Sequence, residues 1–360
     1  MSQDSSRGAY SAAGVDIDAQ DEALAEVKRL ARGTFTSGVL TEIGGFGGLF
    51  RPDLSGMEEP VIIASADGVG TKLMVARMAR SYATVGEDLV NHCVNDILVQ
   101  GARPLFFMDY VGAGVLEPRA VVELVQGVTA GCRTNGCALL GGETAEMPGF
   151  YQPGDYELVG FIVGMADRAR LLDGSRVQVG DALLGLPSSG LHTNGYSLAR
   201  KILFDDLGLG VDDPLPVTAA DGESVPTVGE ELLKVHRSYL GAVEPWLDDP
   251  ALHGLAHITG GGLTDNLPRT LPEGAAAEID PRTWTVPPVF RLFRERGRVA
   301  AAEMFRVFNM GIGMVLVVDG DRAEEILGAL RRDGHGGQLI GRVVPGDGGV
   351  IYRPDAEAAF

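Results

Sequence analysis

The chain has 360 residues, of which 45% are hydrophobic and 22% charged, as expected for a globular protein of about two domains. Its 30 basic and 49 acidic residues give a formal net charge of −19, which disfavours binding to nucleic acid. Glycine contributes 51 residues, roughly twice the usual frequency of about 7%. This excess predicts many tight loops in which the backbone turns sharply or approaches a ligand.

The three cysteines, Cys93, Cys132 and Cys137, form no C-x-x-C pair, so the sequence indicates neither a disulfide framework nor a zinc site. No apolar run reaches the roughly 18 residues of a membrane span. Residues 1–9 are polar and lack the apolar region of a signal peptide. We therefore expect a disordered tail over 1–9, a cytoplasmic location, and a small-molecule partner rather than a membrane or nucleic acid.

Hydrophobic periodicity predicts alternating helices and strands in the first half of the chain. Helices are expected over 21–32, 84–100 and 118–134. Strands are expected over 61–64, 105–110, 137–140 and 156–165. Between them lie two glycine-rich loops, GGFGG at 44–48 and GGETAEMPG at 141–149.

The pattern resets in the turn-rich stretch 167–180, and we place a domain boundary there, between residues 10–170 and 171–360. In the second domain the pattern predicts helices over 196–204, 228–246, 289–296 and 322–332. Strands are predicted over 182–186, 312–318 and 339–344, and a polar insertion over 212–224 receives no role. Because both halves mix strands and helices, the fold class is α/β (α+β).

The stretch DGVGTK, from Asp67 to Lys72, combines an acid, two glycines, a hydroxyl and a lysine at the end of a predicted strand. Its lysine follows the threonine, so it is not a Walker loop. Strand ends are common ligand sites, and Lys72 could bind a phosphate or lie along apolar surface. The GGFGG loop could likewise cover phosphates with backbone N–H groups or serve only as a flexible connection.

Three acids stand beside small residues at the ends of separate predicted elements: Asp67, Asp96 and Glu143. Carboxylates are the ligands that Mg²⁺ prefers, and three converging carboxylates would repel one another without a cation. Aspartate is also common in turns for its own hydrogen bonds. The polar face of helix 84–100, with Asp88, His92, Asn95 and Asp96, is either functional or solvated.

Two histidines lie in polar loops that contain glycine, His192 in SSGLHTNG and His257 in HITGGG. An imidazole in such a loop could act as an acid or base near neutral pH, or could make structural hydrogen bonds. We expect His236, His253 and His335 at the surface.

Taken in order, these motifs resemble those of the phosphoribosylformylglycinamidine cyclo-ligase family, the aminoimidazole ribonucleotide (AIR) synthetases, which belong to an ATP-binding superfamily. Asp96-x-x-x-x-Gly101-Ala102-x-Pro104 is similar to the signature of that superfamily. The resemblance runs from about Tyr10 to Val344 and rests on the motifs YSAAGVDI (10–17), GGFGG, DGVGTK, VNDILVQGARPLFF (94–107), GGETAEMPG, SSGLHTNGYSL (188–198), HITGGG (257–262) and FNMGIGM (308–314).

The resemblance implies an N-terminal ATP-binding and dimerisation domain, whose strands join those of a partner in a dimeric β-barrel, with a C-terminal α/β domain packed beside it. It implies a homodimeric ligase that uses ATP and Mg²⁺ in de novo purine biosynthesis. The enzyme would phosphorylate the formamide oxygen of formylglycinamidine ribonucleotide, close the imidazole ring of 5-aminoimidazole ribonucleotide, and release ADP and phosphate.

The resemblance also assigns roles to residues. Mg²⁺ would be held by Asp67, Asp96 and Glu143, and the catalytic residues would be His192, Asp67 and Lys72. ATP would contact Gly45, Phe46, Gly47, Gly68, Thr71, Lys72, Asn95 and Asp96. The substrate would contact Ser189, His192, Asn194, Gly260 and Gly261. His192 could be an acid, a base or a phosphate contact. Ser11 stands where some members of the family have a lysine, so no contact of that lysine is carried over.

Other ATP-using members of the superfamily are the main alternative. A selenophosphate synthetase would carry a reactive cysteine near the N-terminus, and no cysteine precedes Cys93. A thiamine-monophosphate kinase would lack the pair GGETAEMPG and SSGLHTNG. A non-catalytic nucleotide sensor is disfavoured because Asp67, Asp96, Glu143 and Lys72 are all present.

Overall fold

The computed structural model describes residues 17–218 and 224–360. The expected tail, Ser11 and the start of the first motif lie outside the described residues, as does part of the polar insertion. The described chain forms a four-stranded and a six-stranded sheet. The last strand of the first sheet ends at Asp167 and the first strand of the second begins at Ala182, and the boundary predicted at 170/171 falls between them.

The first sheet has the strand order β1-β4-β2-β3. Strand β4 pairs antiparallel with both β1 and β2, and β3 is parallel to β2. Helices α3 and α4 pack together on one face of this sheet. They can approach closely because Gly127 has no side chain. A Cβ at this position would lie 1.8 Å from the Ala83 carbonyl oxygen. The elements are α1 (Ile17–Arg32), β1 (Pro60–Gly68), α2 (Lys72–Ala79), α3 (Ala83–Leu98), β2 (Arg103–Ala113), α4 (Pro118–Thr134), β3 (Ala138–Glu146) and β4 (Tyr156–Asp167).

The second sheet has the strand order β10-β7-β9-β5-β8-β6, in which only β10 and β7 pair in parallel. Strand β8 is buried along its whole length. The elements are β5 (Ala182–Pro187), α5 (Tyr196–Arg200), α6 (Val228–Leu232), α7 (Leu240–Val243), β6 (Leu252–His257), α8 (Gly262–Asn266), β7 (Ala275–Ile279), α9 (Pro288–Gly297), α10 (Ala301–Val307), β8 (Ile312–Val318), α11 (Ala323–Arg332), β9 (Gln338–Pro345) and β10 (Val350–Tyr352).

Most predicted elements are present, and the ranges 118–134 and 312–318 have the predicted bounds. Two glycine-bearing stretches are more regular than expected. Strand β1 runs on through Asp67 to Gly68, and β3 continues to Glu146, so much of the predicted loop 141–149 is strand. Helices α2, α8 and α10 and strands β6, β7 and β10 had no counterpart in the prediction.

The prediction of one continuous helix over 228–246 is wrong. That stretch contains only α6, α7 and a short 3₁₀ turn, Glu244–Trp246, and residues 234–239 are not helical. The backbone groups of this irregular segment bond to side chains of the first domain. Asn91 donates to the His236 carbonyl oxygen, and Asn95 accepts from the Tyr239 N–H. These tertiary bonds replace the intrahelical ones that the apolar periodicity suggested.

The four-stranded sheet forms no closed barrel in one chain, because β1 and β3 are its two edges in the described residues. The two sheets with their helices form two α/β domains. A barrel shared between two copies of the chain stays a proposal. Within residues 17–218 and 224–360, every helix is too short or too polar to cross a bilayer.

Candidate functional site

The polar face of α3 lies against the second domain rather than in solvent. Asp88, Asn91, His92 and Asn95 are all buried, and their spacing puts them on one side of the helix. Asp88 accepts from the His236 N–H at 2.6 Å, and Asn95 also donates to the Arg237 carbonyl oxygen at 2.9 Å. The face thus satisfies the backbone of segment 235–239, which fixes the two domains against each other.

We call the contact region between the two domains the seam. Lys72 begins α2 and is fully buried in this seam. Its Nζ lies 2.6 Å from Asp88 Oδ2 and donates to the carbonyl oxygens of Lys234, at 2.7 Å, and His192, at 3.2 Å. An ammonium has three donors, and here each finds an acceptor. Burial works to lower the pKa of Lys72 and raise the pKa of Asp88, and their mutual attraction opposes both shifts. A contact between Lys72 and phosphate would require this pair to open.

A cleft of about 700 Å³ separates the domains beside this seam. Its walls come from β1 and α3 on one side and from β6 and residues 259–270 on the other. Asp67 and Asp96 both line it and approach the same imidazole nitrogen, since His92 Nε2 is 2.7 Å from Asp67 Oδ2 and 3.6 Å from Asp96 Oδ2. The structure therefore brings these two predicted metal ligands together.

Three buried histidines and the half-buried Thr193 link the two carboxylates. The contacts run, in order, Asp67–His92 (2.7 Å), His92–Thr193 (2.7 Å), Thr193–His236 (3.3 Å), His236–His257 (3.1 Å) and His257–Asp96 (2.8 Å). We call this series the histidine chain. It takes residues from both domains, so the orientation of both carboxylates depends on how the domains pack.

Burial and neighbouring charge act differently on the three imidazoles of the histidine chain. Burial works to lower the pKa of His92, but the hydrogen bond to Asp67 and the charge of Asp96 raise it overall. Burial dominates at His236 and His257 and lowers their pKa values. Of the three imidazoles, His92 is therefore the one whose protonated form its surroundings favour most.

His192 is buried behind the histidine chain rather than in the wall of the cleft. Its ring stacks on that of His236, with centroids 4.0 Å apart. Its Nε2 accepts from the Ser189 N–H at 3.2 Å, and burial lowers its pKa well below the usual value. The backbone of His192 has φ +63°, a left-handed conformation that is uncommon outside glycine.

The other residues predicted to bind substrate surround the same seam. Ser189 donates to the Val235 carbonyl oxygen. A Cβ on Gly260 would lie 3.1 Å from Asn194 Oδ1, so the loops that carry these residues are in contact. Gly261 has φ +102°, which favours glycine at that turn. Thr71 Oγ1 lies 3.4 Å from Ser197 Oγ across the domains.

Glu143 is not near the two aspartates in one chain. Four residues on adjacent strands are partners in the sheet register. Asp67 of β1 pairs with Gly160 of β4, Gly160 pairs with Asp109 of β2, and Asp109 pairs with Gly142 of β3. Glu143 therefore lies about three strand spacings from Asp67, roughly 14 Å. It lines a separate cavity of about 350 Å³ that is bounded mainly by apolar side chains of α1 and α4. In the loop that holds Gly45 and Gly47, the Phe46 ring is fully exposed.

Asp109 lines this second cavity. Burial raises the pKa of its carboxyl to about 7. Gly142 leaves the space that it fills, because a Cβ there would lie 2.0 Å from Asp109 Oδ1. The sequence showed only an acid in an apolar strand and gave no sign of this environment.

The expectation that His236 and His253 lie at the surface is wrong. His236 is fully buried in the histidine chain, and His253 is buried against Asp181 with Nδ1 2.7 Å from Oδ2. Thr193 and His236 were missed as members of the site. Thr193 could have been found as the neighbour of His192, but His236 lay in a segment that was interpreted as a helix.

The comparisons with known proteins agree with this architecture. Residues 54–166 match the family model "AIR synthase related protein, N-terminal domain", and residues 178–353 match "AIR synthase related protein, C-terminal domain". A phosphoribosylformylglycinamidine cyclo-ligase of Trichlorobacter lovleyi is 49% identical over 94% of this chain and 95% of its own length. The chain belongs to the phosphoribosylformylglycinamidine cyclo-ligase family. The family predicted from the motifs, and with it a ligase that forms a C–N bond, is confirmed.

Two further comparisons give the same result. The cyclo-ligase of Nitratidesulfovibrio vulgaris is 50% identical over 91% of this chain and 91% of its own length. A thiamine-monophosphate kinase structure from Stenotrophomonas maltophilia superposes with a TM-score of 0.62 at 20% identity, covering 93% of this chain and 96% of its own. At that identity the likeness shows the shared fold alone.

The buried ion pair predicts a large and coupled loss of stability. Lys72→Met or Asp88→Asn leaves one buried partner uncompensated, and each should lower the free energy of unfolding by about 3–5 kcal/mol. The double variant should lose less than the sum. Denaturant unfolding of all three variants checks this.

The matched control is Lys201→Met, which breaks an exposed pair with Asp206 and should cost less than about 1 kcal/mol. Equal losses for Lys72→Met and Lys201→Met would contradict the buried pair.

The raised pKa of Asp109 predicts that the free energy of unfolding depends on pH. Its pKa of about 7 in the folded protein exceeds the value of about 3.9 in an unfolded chain, so the folded state binds more protons between these values. The free energy of unfolding of the wild type should therefore fall relative to Asp109→Asn as the pH rises from 4 towards 7. Above about pH 8 the difference should become constant. Urea unfolding across this range measures it, and an equal difference at every pH would refute the raised pKa.

Proposed function

We propose that this chain catalyses the ATP-dependent cyclisation of formylglycinamidine ribonucleotide to 5-aminoimidazole ribonucleotide in de novo purine biosynthesis. The observation that carries the proposal is the pair of carboxylates, Asp67 and Asp96, held on the wall of the interdomain cleft in a member of the cyclo-ligase family. A cytoplasmic location remains part of the proposal.

The donor set of the cleft fits Mg²⁺. Burial works to raise the pKa of Asp67 and of Asp96, but their bonds to His92 and His257 respectively lower both values, so both are ionised at neutral pH. Ionised carboxylate oxygens are hard ligands of the kind that Mg²⁺ takes. His92 Nε2 and His257 Nδ1, the imidazole nitrogens next to the carboxylates, contact Asp67 and Asp96 respectively, so the proposal gives them no role as metal ligands. When bound, Mg²⁺ would neutralise charge on the phosphates of ATP.

The chain's own residues contribute orientation and protonation. The γ-phosphoryl group passes from ATP to the formamide oxygen, the amidine-side nitrogen bonds to the formyl carbon, and the C–O bond breaks to release phosphate. His92 and His257 hold the two carboxylates in place, as partners of metal-binding groups usually do. His192 and Lys72 lie behind the wall of the cleft, so we assign both to the positioning of loop 188–194 rather than to contact with the reacting atoms.

The remaining predicted ligands point to a homodimer. Glu143 lies on β3, at the opposite edge of the sheet from Asp67, and the loop of Gly45, Phe46 and Gly47 leads to Gly48, where a Cβ would lie 2.4 Å from Leu140 Cγ of the same strand. The sheet face away from α3 exposes Ile62 by 70%, Phe161 by 42% and Met108 by 37%. Burying such a face is favourable at about 25 cal/mol per Å². We propose that a second copy covers this face and supplies Glu143 to the site of Asp67 and Asp96, with ATP between the two.

The first experiment measures ADP and aminoimidazole formation from ATP, Mg²⁺ and formylglycinamidine ribonucleotide. We expect equal amounts of both products, and Asp96→Asn should lower kcat/KM by at least about 100-fold through loss of charge stabilisation. The control, Asp347→Asn, changes an exposed aspartate in the turn between β9 and β10 and should retain activity.

Three outcomes would count against this assignment. ADP release without aminoimidazole would overturn the named reaction. ADP release that depends on thiamine monophosphate would favour a kinase of the same fold. Full activity of Asp96→Asn would refute the metal assignment.

Mixed dimers test the shared site. Glu143→Gln and Asp96→Asn should each be inactive, and an equilibrated equimolar mixture should regain about a quarter of the wild-type activity, because half of the dimers then contain one intact site. A mixture that stays inactive, or a monomer by light scattering at assay concentration, would contradict the shared site.

A further inference from the structure

The interdomain cleft is acidic at one end and carries an unpaired cation at the other. Among its lining residues, all of them in the described part of the chain, Arg269 is the one arginine or lysine. It is exposed, and no described residue forms a hydrogen bond or ion pair with its guanidinium. An arginine without a protein partner inside a cleft is available to a ligand.

Close contacts place Arg269 away from the two carboxylates. Its neighbour Thr270 packs against β6 at Gly254, where a Cβ would lie 2.6 Å from Thr270 Oγ1. Gly254 precedes His257 by three residues on this strand, which corresponds to about 10 Å. His257 contacts Asp96, so the carboxylates occupy one end of the cleft and Arg269 the other. This separation is comparable to the distance between the formamide and the phosphate of the proposed substrate.

We propose that Arg269 binds the 5′-phosphate of the ribonucleotide substrate and thereby sets its direction in the cleft. The inference rests on the proposed function and adds the residue that recognises the phosphorylated end. A phosphate dianion next to Asp67 and Asp96 would be repelled, whereas a guanidinium offers parallel N–H donors that match phosphate oxygens. With the phosphate at Arg269, the formamide lies at the end where the carboxylates are.

One nearby group opposes this binding. Asp173 lines the same end of the cleft, and the turn that contains it packs on Thr270, since a Cβ at Gly174 would lie 2.5 Å from the Thr270 carbonyl oxygen. Hydrogen bonds from Ser175 lower the pKa of Asp173, so it is ionised at neutral pH. Its charge should weaken phosphate binding, which gives a second variant with an effect of opposite sign.

Steady-state kinetics with two substrates test the assignment. For Arg269→Ala, KM for the ribonucleotide should rise by about 10–100-fold, the range expected for loss of a charge-assisted hydrogen bond. KM for ATP should be unchanged, and so should kcat/KM for the dephosphorylated ribonucleoside. Arg269→Lys should recover part of the loss because it keeps the charge but not the paired donors. Asp173→Asn should lower KM for the ribonucleotide because it removes a negative charge from the same end of the cleft.

Arg296→Ala, at an exposed arginine in the last turn of α9, is the matched control and should behave as the wild type. A direct probe is ribose 5-phosphate, whose binding by calorimetry should be lost in Arg269→Ala and kept in Arg296→Ala. Equal effects of Arg269→Ala on ribonucleotide and ribonucleoside would overturn the proposal, as would an unchanged KM or a rise in KM for Asp173→Asn. If the wild type forms no aminoimidazole, the proposed reaction fails, and ribose 5-phosphate binding still decides the role of Arg269.

Discussion

The buried pair of Lys72 and Asp88 is the constraint on which the rest of the site depends. Taking two charges out of water costs several kcal/mol per ion, and the structure offsets that cost only because the ammonium finds three acceptors on both domains. Asp88 also accepts from the N–H of His236. The pair therefore couples the start of α2, the polar face of α3 and two loops of the second domain. Any shift of one domain against the other would leave buried charge unsatisfied.

These contacts between the domains also determine the geometry of the cleft. Segment 235–239 follows α3 because its backbone groups bond to Asp88, Asn91 and Asn95. His236 is thereby placed against Thr193 and His257, and the histidine chain that results ends on Asp67 and Asp96. Two acids so close together would normally share a proton. Here the hydrogen bond to His92 lowers the pKa of Asp67 and the hydrogen bond to His257 lowers the pKa of Asp96, and part of each carboxylate is still exposed to the cleft.

The sequence predicted local structure where local physics decides it. Helix 118–134 has a proline in its first turn and an amphipathic pattern, and strand 312–318 is an apolar run, and both have the predicted bounds. The proximity of Asp67 and Asp96 also followed from motifs. The burial of Lys72, the irregular path of 234–239 and the place of His236 did not, because each depends on hydrogen bonds between residues more than 100 positions apart. The distance of Glu143 from Asp67 depends on strand order, which sequence patterns do not contain.

Electrostatics explains why an acid-lined cleft suits this reaction. The chain carries a net charge of −19, yet ATP and a ribonucleotide are both anions. Without a bound cation, the negative charges of Asp67 and Asp96 would repel either ligand. A divalent cation held by the two carboxylates would offset their charge and allow a triphosphate to approach that end of the cleft, while Arg269 offers one positive charge at the other end. In the proposed arrangement the triphosphate of ATP lies at the carboxylate end, and the monophosphate of the substrate lies at Arg269. Charge would then distinguish the two ends of the cleft, so the proposed arrangement would orient both ligands through their phosphate groups.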